Sequence, residues 1–151
     1  MVIIAGEQTR GRGKPGRHWF SPPKLGLYLS AIIKPRKRPK DLVSLTLLCA
    51  EAVEAAINNI SKLTTEIKFP NDVLINGKKV CGILVERVAA GYLIIGIGVN
   101  VNNLPDIWPD EIKNSATSLK IEAGLDYDPR QLQDVLLVEL DQRYLAYLNK
   151  I

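Results

Sequence analysis

Between Gln8 and Trp19 the chain reads Gln-Thr-Arg-Gly-Arg-Gly-Lys-Pro-Gly-Arg-His-Trp. Arg10, Arg12, Lys14 and Arg17 place four cations within eight residues, with Gly11, Gly13 and Gly16 among them. Glycines let a main chain approach a ligand and present unobstructed N–H groups to it. Charges at this density repel one another until an anion arrives. The spacing therefore predicts a flexible loop that orders on a phosphate. The same residues suit a solvated basic loop or a nucleic-acid patch, and composition leaves these readings open. A P-loop is excluded, because no Gly-Lys-Ser/Thr opens a helix here.

Two further blocks carry polar groups at strand ends. Lys68-Phe69-Pro70-Asn71-Asp72 breaks two apolar strands and leads through Gly77-Lys78-Lys79 to Gly82-Ile83-Leu84-Val85-Glu86. Asp72 could ligate Mg²⁺, Lys68 could meet a phosphate, and Lys79 could reach across a sheet face. Solvated lysines on a hairpin are the plainer account. In Gly96-Ile97-Gly98-Val99-Asn100 the glycines alternate, so one strand face lacks side chains and something must lie close against it. Asn100, at the strand end, could meet a base edge or simply form a turn.

The elements that must position these groups follow from periodicity. Strands are expected over Val2–Gln8, Leu25–Lys34, Thr65–Phe69, Val73–Ile75, Lys79–Val88 and Tyr92–Asn100. Asn76-Gly77 and Ala90-Gly91 mark turns. Thr9–Pro23 is a loop and Pro35–Lys40 a basic connector. Leu42, Leu45, Leu48, Cys49, Val53, Ala56, Ile57 and Ile60 recur at helical spacing within Asp41–Ile60. Val101–Gly124 reads as irregular, with a short helix near Trp108. Asp128 as N-cap, Pro129 at the first helical position and Gln131 as the closer of a capping box start a last helix running to about Asn149. The sum is an α+β domain: a mixed, largely antiparallel sheet with helices packed on one face.

Composition limits the chemistry. With 151 residues, 46% apolar and 24% charged, the chain suits one folded domain. A net charge of +4 favours anionic partners. Two cysteines, Cys49 and Cys81, lie in apolar runs and are expected as buried free thiols, with no disulfide framework and no zinc pattern. His18 is the single histidine, which argues against a histidine metal site and a Ser-His-Asp triad. No secretory leader opens the chain, and no uninterrupted apolar run reaches membrane-spanning length, so a cytoplasmic protein is expected.

Taken in order, these blocks resemble the catalytic domain of biotin protein ligases. The shared pattern also includes Ser21-Pro22 and Leu27-Tyr28-Leu29-Ser30, and it spans Val2 to the last helix. Phe69 stands where the family usually has Trp. The resemblance implies a fold of the class II synthetase and biotin ligase kind. It implies activation of biotin by ATP and Mg²⁺ to biotinyl-5′-AMP, then transfer to a lysine on the biotin carboxyl carrier domain of a carboxylase. By the same resemblance Lys79 and Arg12 are catalytic, with Lys79 bridging the biotin carboxylate and the α-phosphate. Gln8, Gly11, Arg12 and the backbone at Gly82 line the biotin pocket, and Gly13 is a further cofactor-binding residue. Lys14 and Arg17 close over the adenylate, with Trp19 as an apolar wall. Lys68, Asn71 and Asp72 face phosphates and metal, and Asn100 meets adenine. Lys14 replaces a frequent arginine, keeping the charge but losing the bidentate fork.

Relative to the family pattern, the chain starts after a Ser-Thr-Asn segment and helix that contact the biotin head group. It ends before a small β-barrel domain. Residues 1–151 are thus expected to be a catalytic domain truncated at both ends, without the DNA-binding domain of some relatives and so without a DNA partner. No membrane partner is expected, and pairing of two copies through exposed sheet stays open. A non-catalytic paralogue that holds nucleotide or acceptor domain, and a lipoate-type ligase, remain as alternatives.

Overall fold

The computed structural model describes residues 1–36, 39 and 41–149. Lys37, Arg38 and Lys40 of the basic connector, with Lys150 and Ile151, lie outside the described residues.

Six strands make one sheet, in the spatial order β1 (Val2–Ala5), β2 (Gly26–Ile33), β6 (Leu93–Asn100), β5 (Lys78–Arg87), β4 (Asp72–Ile75) and β3 (Glu66–Lys68). Every adjacent pair is antiparallel. The expected mixed character reduces to one isolated parallel bridge, Lys79 to Ala116. β1 stops at Ala5 rather than Gln8, because the chain there changes partner. Lys24 donates its N–H to the Gly6 carbonyl at 3.0 Å and Gln8 donates to Ser21 at 3.1 Å, so Gly6–Gln8 pairs with the returning loop.

Alternation sorts the sheet into two faces. Leu27 and Leu29 pair across from Val99 and Ile97, and all four are buried in the core. Tyr28, Ser30, Gly96 and Gly98 point to the other face. The core lies under α1 (Leu42–Ser61), which packs on β3, β4 and β5. A second, five-residue helix, α2 (Leu119–Ala123), precedes the long α3 (Pro129–Leu148), which packs on α1 and β2. Both long helices therefore cover one face, as expected.

The expected α1 stripe is buried at Leu45, Leu48, Cys49, Val53, Ala56 and Ile57. Asp41 caps it by accepting the Ser44 N–H at 2.7 Å. By length and composition α1 could cross a bilayer, with mean hydropathy 1.3, but its apolar stripe is spent on the sheet and α3. At α3 Asp128 accepts its cap bond from the Arg130 N–H at 2.9 Å rather than from the Gln131 N–H.

The segment read as irregular holds a 3₁₀ turn, Pro105–Ile107, just before Trp108. It also holds α2, which sequence periodicity missed because five residues show no period. Ser118 and Gly124 were its available signals. Ser118 accepts the Ile121 N–H at 3.1 Å and donates to the Asn103 carbonyl at 2.7 Å, while Gly124 closes the helix in a left-handed conformation.

Two outcomes follow. Ser118 is fully buried and makes both bonds, so Ser118→Ala should cost about 1–2 kcal/mol in denaturant unfolding; an unchanged midpoint would contradict the cap. Both cysteines are buried free thiols, and burial pushes Cys49 up to about 12 and raises Cys81 as well. Neither should react with a thiol reagent at pH 8 until the protein is unfolded. A native thiol that titrates like free cysteine would refute that placement.

Candidate active site

The face of the sheet away from the helices carries the site. Its cover is the tongue Gln8–Ser21, which folds as a narrow hairpin. Gln8 bridges Ser21 and Arg12 bridges His18. Trp19 N–H donates to the Gly11 carbonyl at 2.9 Å, Gly13 N–H to Arg17 at 3.0 Å, and Arg17 N–H to Lys14 at 2.8 Å. These backbone bonds give the segment expected as a loop the form of a hairpin.

Gly11 is buried at the hinge of this hairpin. A Cβ there would overlap the Trp19 carbonyl and stand 2.8 Å from Ser21 Oγ, so the two arms approach as closely as glycine allows. Ser21 Oγ donates to Gln8 Oε1 at 2.8 Å and fixes the Gln8 side chain at the cleft edge.

The floor is bare. Gly82 of β5 and Gly98 of β6 are paired directly across the ladder. Trp19 lies against both: a Cβ at Gly98 would overlap its indole, and one at Gly82 would come within 2.9 Å of its ring. Phe20 turns the other way, onto Trp108, at 6.0 Å between ring centroids. The object that the alternating glycines called for is, over Gly82 and Gly98, the tongue's own tryptophan.

Lys79 reaches this floor through a β-bulge. Leu74 pairs with Lys79 and Val73 with Cys81, which leaves Val80 as the extra residue. In a regular strand Lys79 would share the helix-side face of Cys81. With the bulge, Val80 and Cys81 are both fully buried, and Lys79 stands over Gly82, its Cε and Nζ 3.1 and 3.2 Å from where a Cβ would be. The ammonium contacts Asp72 Oδ1 at 2.7 Å and sits 5.5 Å from the Trp19 ring centroid. Asn71 Nδ2 donates to the same Asp72 oxygen at 2.9 Å.

At the other end of the floor Arg12 Nη2 pairs with Glu86 Oε2 at 3.1 Å. The cleft left between these features is about 150 Å³, bounded by Gln8, Arg12, Trp19, Asn71, Lys79 and the three floor glycines among others.

The structure thus gathers Gln8, Arg12, Gly13, Trp19, Asn71, Lys79 and Gly82 around one cleft, with Asp72 beside it. Gly11 serves beneath, as the hinge. Lys14 and Arg17 are exposed at the tongue tip and Lys68 is exposed at the end of β3, none of them lining the cleft. Asn100 is buried at the end of β6 and does not line this cleft. Its Nδ2 donates to the Thr117 carbonyl at 3.0 Å and to that of Lys79 at 3.5 Å, tying β6 to the segment before α2. Sequence reasoning missed Glu86 as a site residue. The signal was there: it shares the parity of Gly82 and Leu84 on β5.

A single carboxylate, Asp72, stands beside the lysine, and no three His, Cys, Asp or Glu side chains converge among the described residues. One carboxylate is the usual protein share of a Mg²⁺ ion whose other ligands are phosphates and water. Asp72 and Asn71 fit that share and no more.

Residues 1–102 match the model of the biotin/lipoate A/B protein ligase family. The chain is 41% identical to the bifunctional ligase/repressor BirA of Bacillus subtilis, over 98% of this chain and 47% of that protein. It is 32% identical to the biotin–[acetyl-CoA-carboxylase] ligase of Mycobacterium tuberculosis, over 99% of this chain and 56% of that protein. The chain thus spans about half the length of these relatives. The biotin protein ligase of Aquifex aeolicus, solved in complex with biotin and ATP, superimposes with a TM-score of 0.90 at 35% identity, over 99% of this chain and 62% of that one.

The hinge geometry makes a direct prediction. Gly11→Ala forces the arms of the tongue apart, at about 1–3 kcal/mol of overpacking. Trypsin should then cut after Arg10, Arg12 and Arg17 far faster than in the wild type, with the sheet still folded by circular dichroism. Equal cleavage rates would refute the hinge.

Proposed function

The chain belongs to the biotin/lipoate A/B protein ligase family, and from that membership and the cleft we propose that it activates biotin with ATP and passes the acyl group to a protein lysine. The observation that carries this reading is Lys79, aimed by the bulge over a side-chain-free floor beneath a cation-rich tongue. Such a floor admits an extended acyl chain, and a cation at its end meets the carboxylate.

In the first step the biotin carboxylate attacks the α-phosphorus of ATP. The bond to pyrophosphate breaks and biotinyl-5′-AMP forms. Two anions must meet, so the site has to neutralise charge as it develops. Lys79 stands where it can bridge carboxylate and phosphate, and Arg12 holds the tongue side of the cleft. Asp72, with Asn71 alongside, would hold a magnesium ion, which would supply further positive charge to the phosphates. Lys14 and Arg17 reach the adenylate if the tongue tip bends inward, Lys68 approaches the phosphates from the end of β3, and Asn100 meets adenine through its carbonyl oxygen. In the second step the neutral amine of an acceptor lysine attacks the acyl carbonyl, AMP leaves, and an amide remains.

The acceptor is the biotin carboxyl carrier domain of a carboxylase, a reading supported by the name of the mycobacterial relative. Dependence on ATP supports a cytoplasmic site of action. Residues 1–151 form the catalytic domain of this activity. A second copy as partner is supported by the edge strand β1, where Val2, Ile3 and Ile4 are exposed and no charge or proline guards the edge.

The test is biotin- and ATP-dependent pyrophosphate release with label transfer to a carrier domain. Lys79→Ala should lower the release rate by about 10²–10³-fold with the fold intact. Release that survives this change would overturn the assigned role. Binding of ATP and biotin with no release in the wild type would favour a non-catalytic binding module. Preference for lipoate in competition would reassign the substrate.

A further inference from the structure

Lys79 lies outside the main ladder of its own strand. β5 pairs with β6 from Cys81, opposite Val99, through Arg87. Ahead of Cys81 that edge of β5 has a different neighbour. The Lys79 N–H donates to the Ser115 carbonyl at 2.8 Å, and the Lys79 carbonyl accepts the Thr117 N–H at 2.9 Å. Residues 115–117 thus stand in for a strand, through the isolated parallel bridge of Lys79 to Ala116. Asn100, at the end of β6, joins the two by donating to the Thr117 and Lys79 carbonyls.

This substitute edge matters because Lys79 faces the cleft only through the bulge at Val80. A slip of one residue would turn its ammonium to the helix side. The Asn76-Gly77 turn closes the hairpin just ahead of Lys79, and residues 115–117 hold Lys79 from the other edge. Glu122 of α2 joins these two supports. Its Oε1 accepts the Thr117 hydroxyl at 2.5 Å, and its Oε2 accepts the Asn76 amide at 2.6 Å. Both bonds are short, as donors to a carboxylate are. Thr117 is fully buried, so its hydroxyl has no water as an alternative partner. Glu122 itself does not line the cleft.

We propose that Glu122 is a positioning residue for Lys79: its carboxylate ties the hairpin turn to residues 115–117 and so fixes the bulge that aims the ammonium. The proposal rests on the reading of Lys79 as the cation that bridges carboxylate and α-phosphate. Glu122 acts through the backbone on both sides of that residue and touches no reacting atom. A glutamine in its place keeps both bonds. Its side-chain carbonyl accepts the Thr117 hydroxyl, and its amide donates to the Asn76 oxygen once the Asn76 amide is turned over. An alanine keeps neither.

The clamp is tested without turnover, by amide hydrogen exchange. Glu122→Ala should speed exchange at Lys79 and Thr117 about tenfold, as local opening becomes easier, while Ile95 and Ile97 of β6 keep their wild-type rates. Glu122→Gln should leave all four amides unchanged. Wild-type exchange at Lys79 in Glu122→Ala would overturn the clamp. Should that variant not fold, Asn76→Gly cuts only the turn end of the tie. Asn76 sits at φ 49°, which glycine adopts freely, so the turn itself survives. Exchange at Lys79 should then rise about threefold, and an unchanged rate would overturn the clamp equally.

The consequence for the reaction is tested by pyrophosphate release. Glu122→Ala should lower kcat about tenfold with KM for biotin and ATP within about twofold, because a displaced cation weakens the transition state more than binding. Glu122→Gln should restore the rate. In a Lys79→Ala background Glu122→Ala should cause no further loss. An equal loss in that background would mark a general structural role and overturn the positioning. No release from the wild type would sink the ligase reading instead, while hydrogen exchange still decides the clamp.

Discussion

The working face of this protein depends on two glycines that face each other across one ladder. Gly82 and Gly98 leave a strip of sheet without side chains, and backbone packing alone would leave that strip wet. Trp19 covers it. To do so the arms of the tongue approach at Gly11 too closely for any side chain, and Phe20 turns outward to Trp108. Close approach, rather than flexibility, is what the glycines of this site provide. Any side chain larger than hydrogen at Gly82 or Gly98 would lift the tongue, and with it the Arg12 contact to Glu86.

The electrostatics of the cleft are pre-balanced. Lys79 has Asp72, and Arg12 has Glu86. Both pairs are part-exposed, where single ion pairs contribute at most about 1 kcal/mol. They stabilise the fold little. Their effect is on position: each holds a flexible cation at one end of the glycine strip. An anion can draw such a cation away at small cost, because the carboxylate left behind stays in contact with water.

Much of the fold was legible in the sequence. The α1 stripe, the Asn76-Gly77 turn and the alternation of β2 and β6 are repeated signals, each residue supporting the next. All six strands begin within one residue of their expected starts. What was missed was short or depended on partners. α2 has too few residues to show a period. β1 ends early because Gly6–Gln8 prefers the returning loop. In the site, Gln8, Arg12, Lys79 and Gly82 do converge on one cleft. Asn100 looked free at a strand end, yet its amide is donated to two carbonyls, from Thr117 and Lys79, that lie far off in sequence.

The sequence by itself determined the elements, the apolar face of each and the chemical character of the tongue. Those properties follow from residue type and short-range spacing, which act within a few residues. Tertiary structure decided three things. It put Lys79 on the working face, through a bulge whose register depends on how β4 meets β5. It brought Glu86 to Arg12 across 74 residues of sequence. It also laid Trp19 on the bare floor, across Gly82 and Gly98 of two different strands. Each is a contact between segments distant in the chain, and its geometry arises only when strand register, hinge and packing are satisfied together.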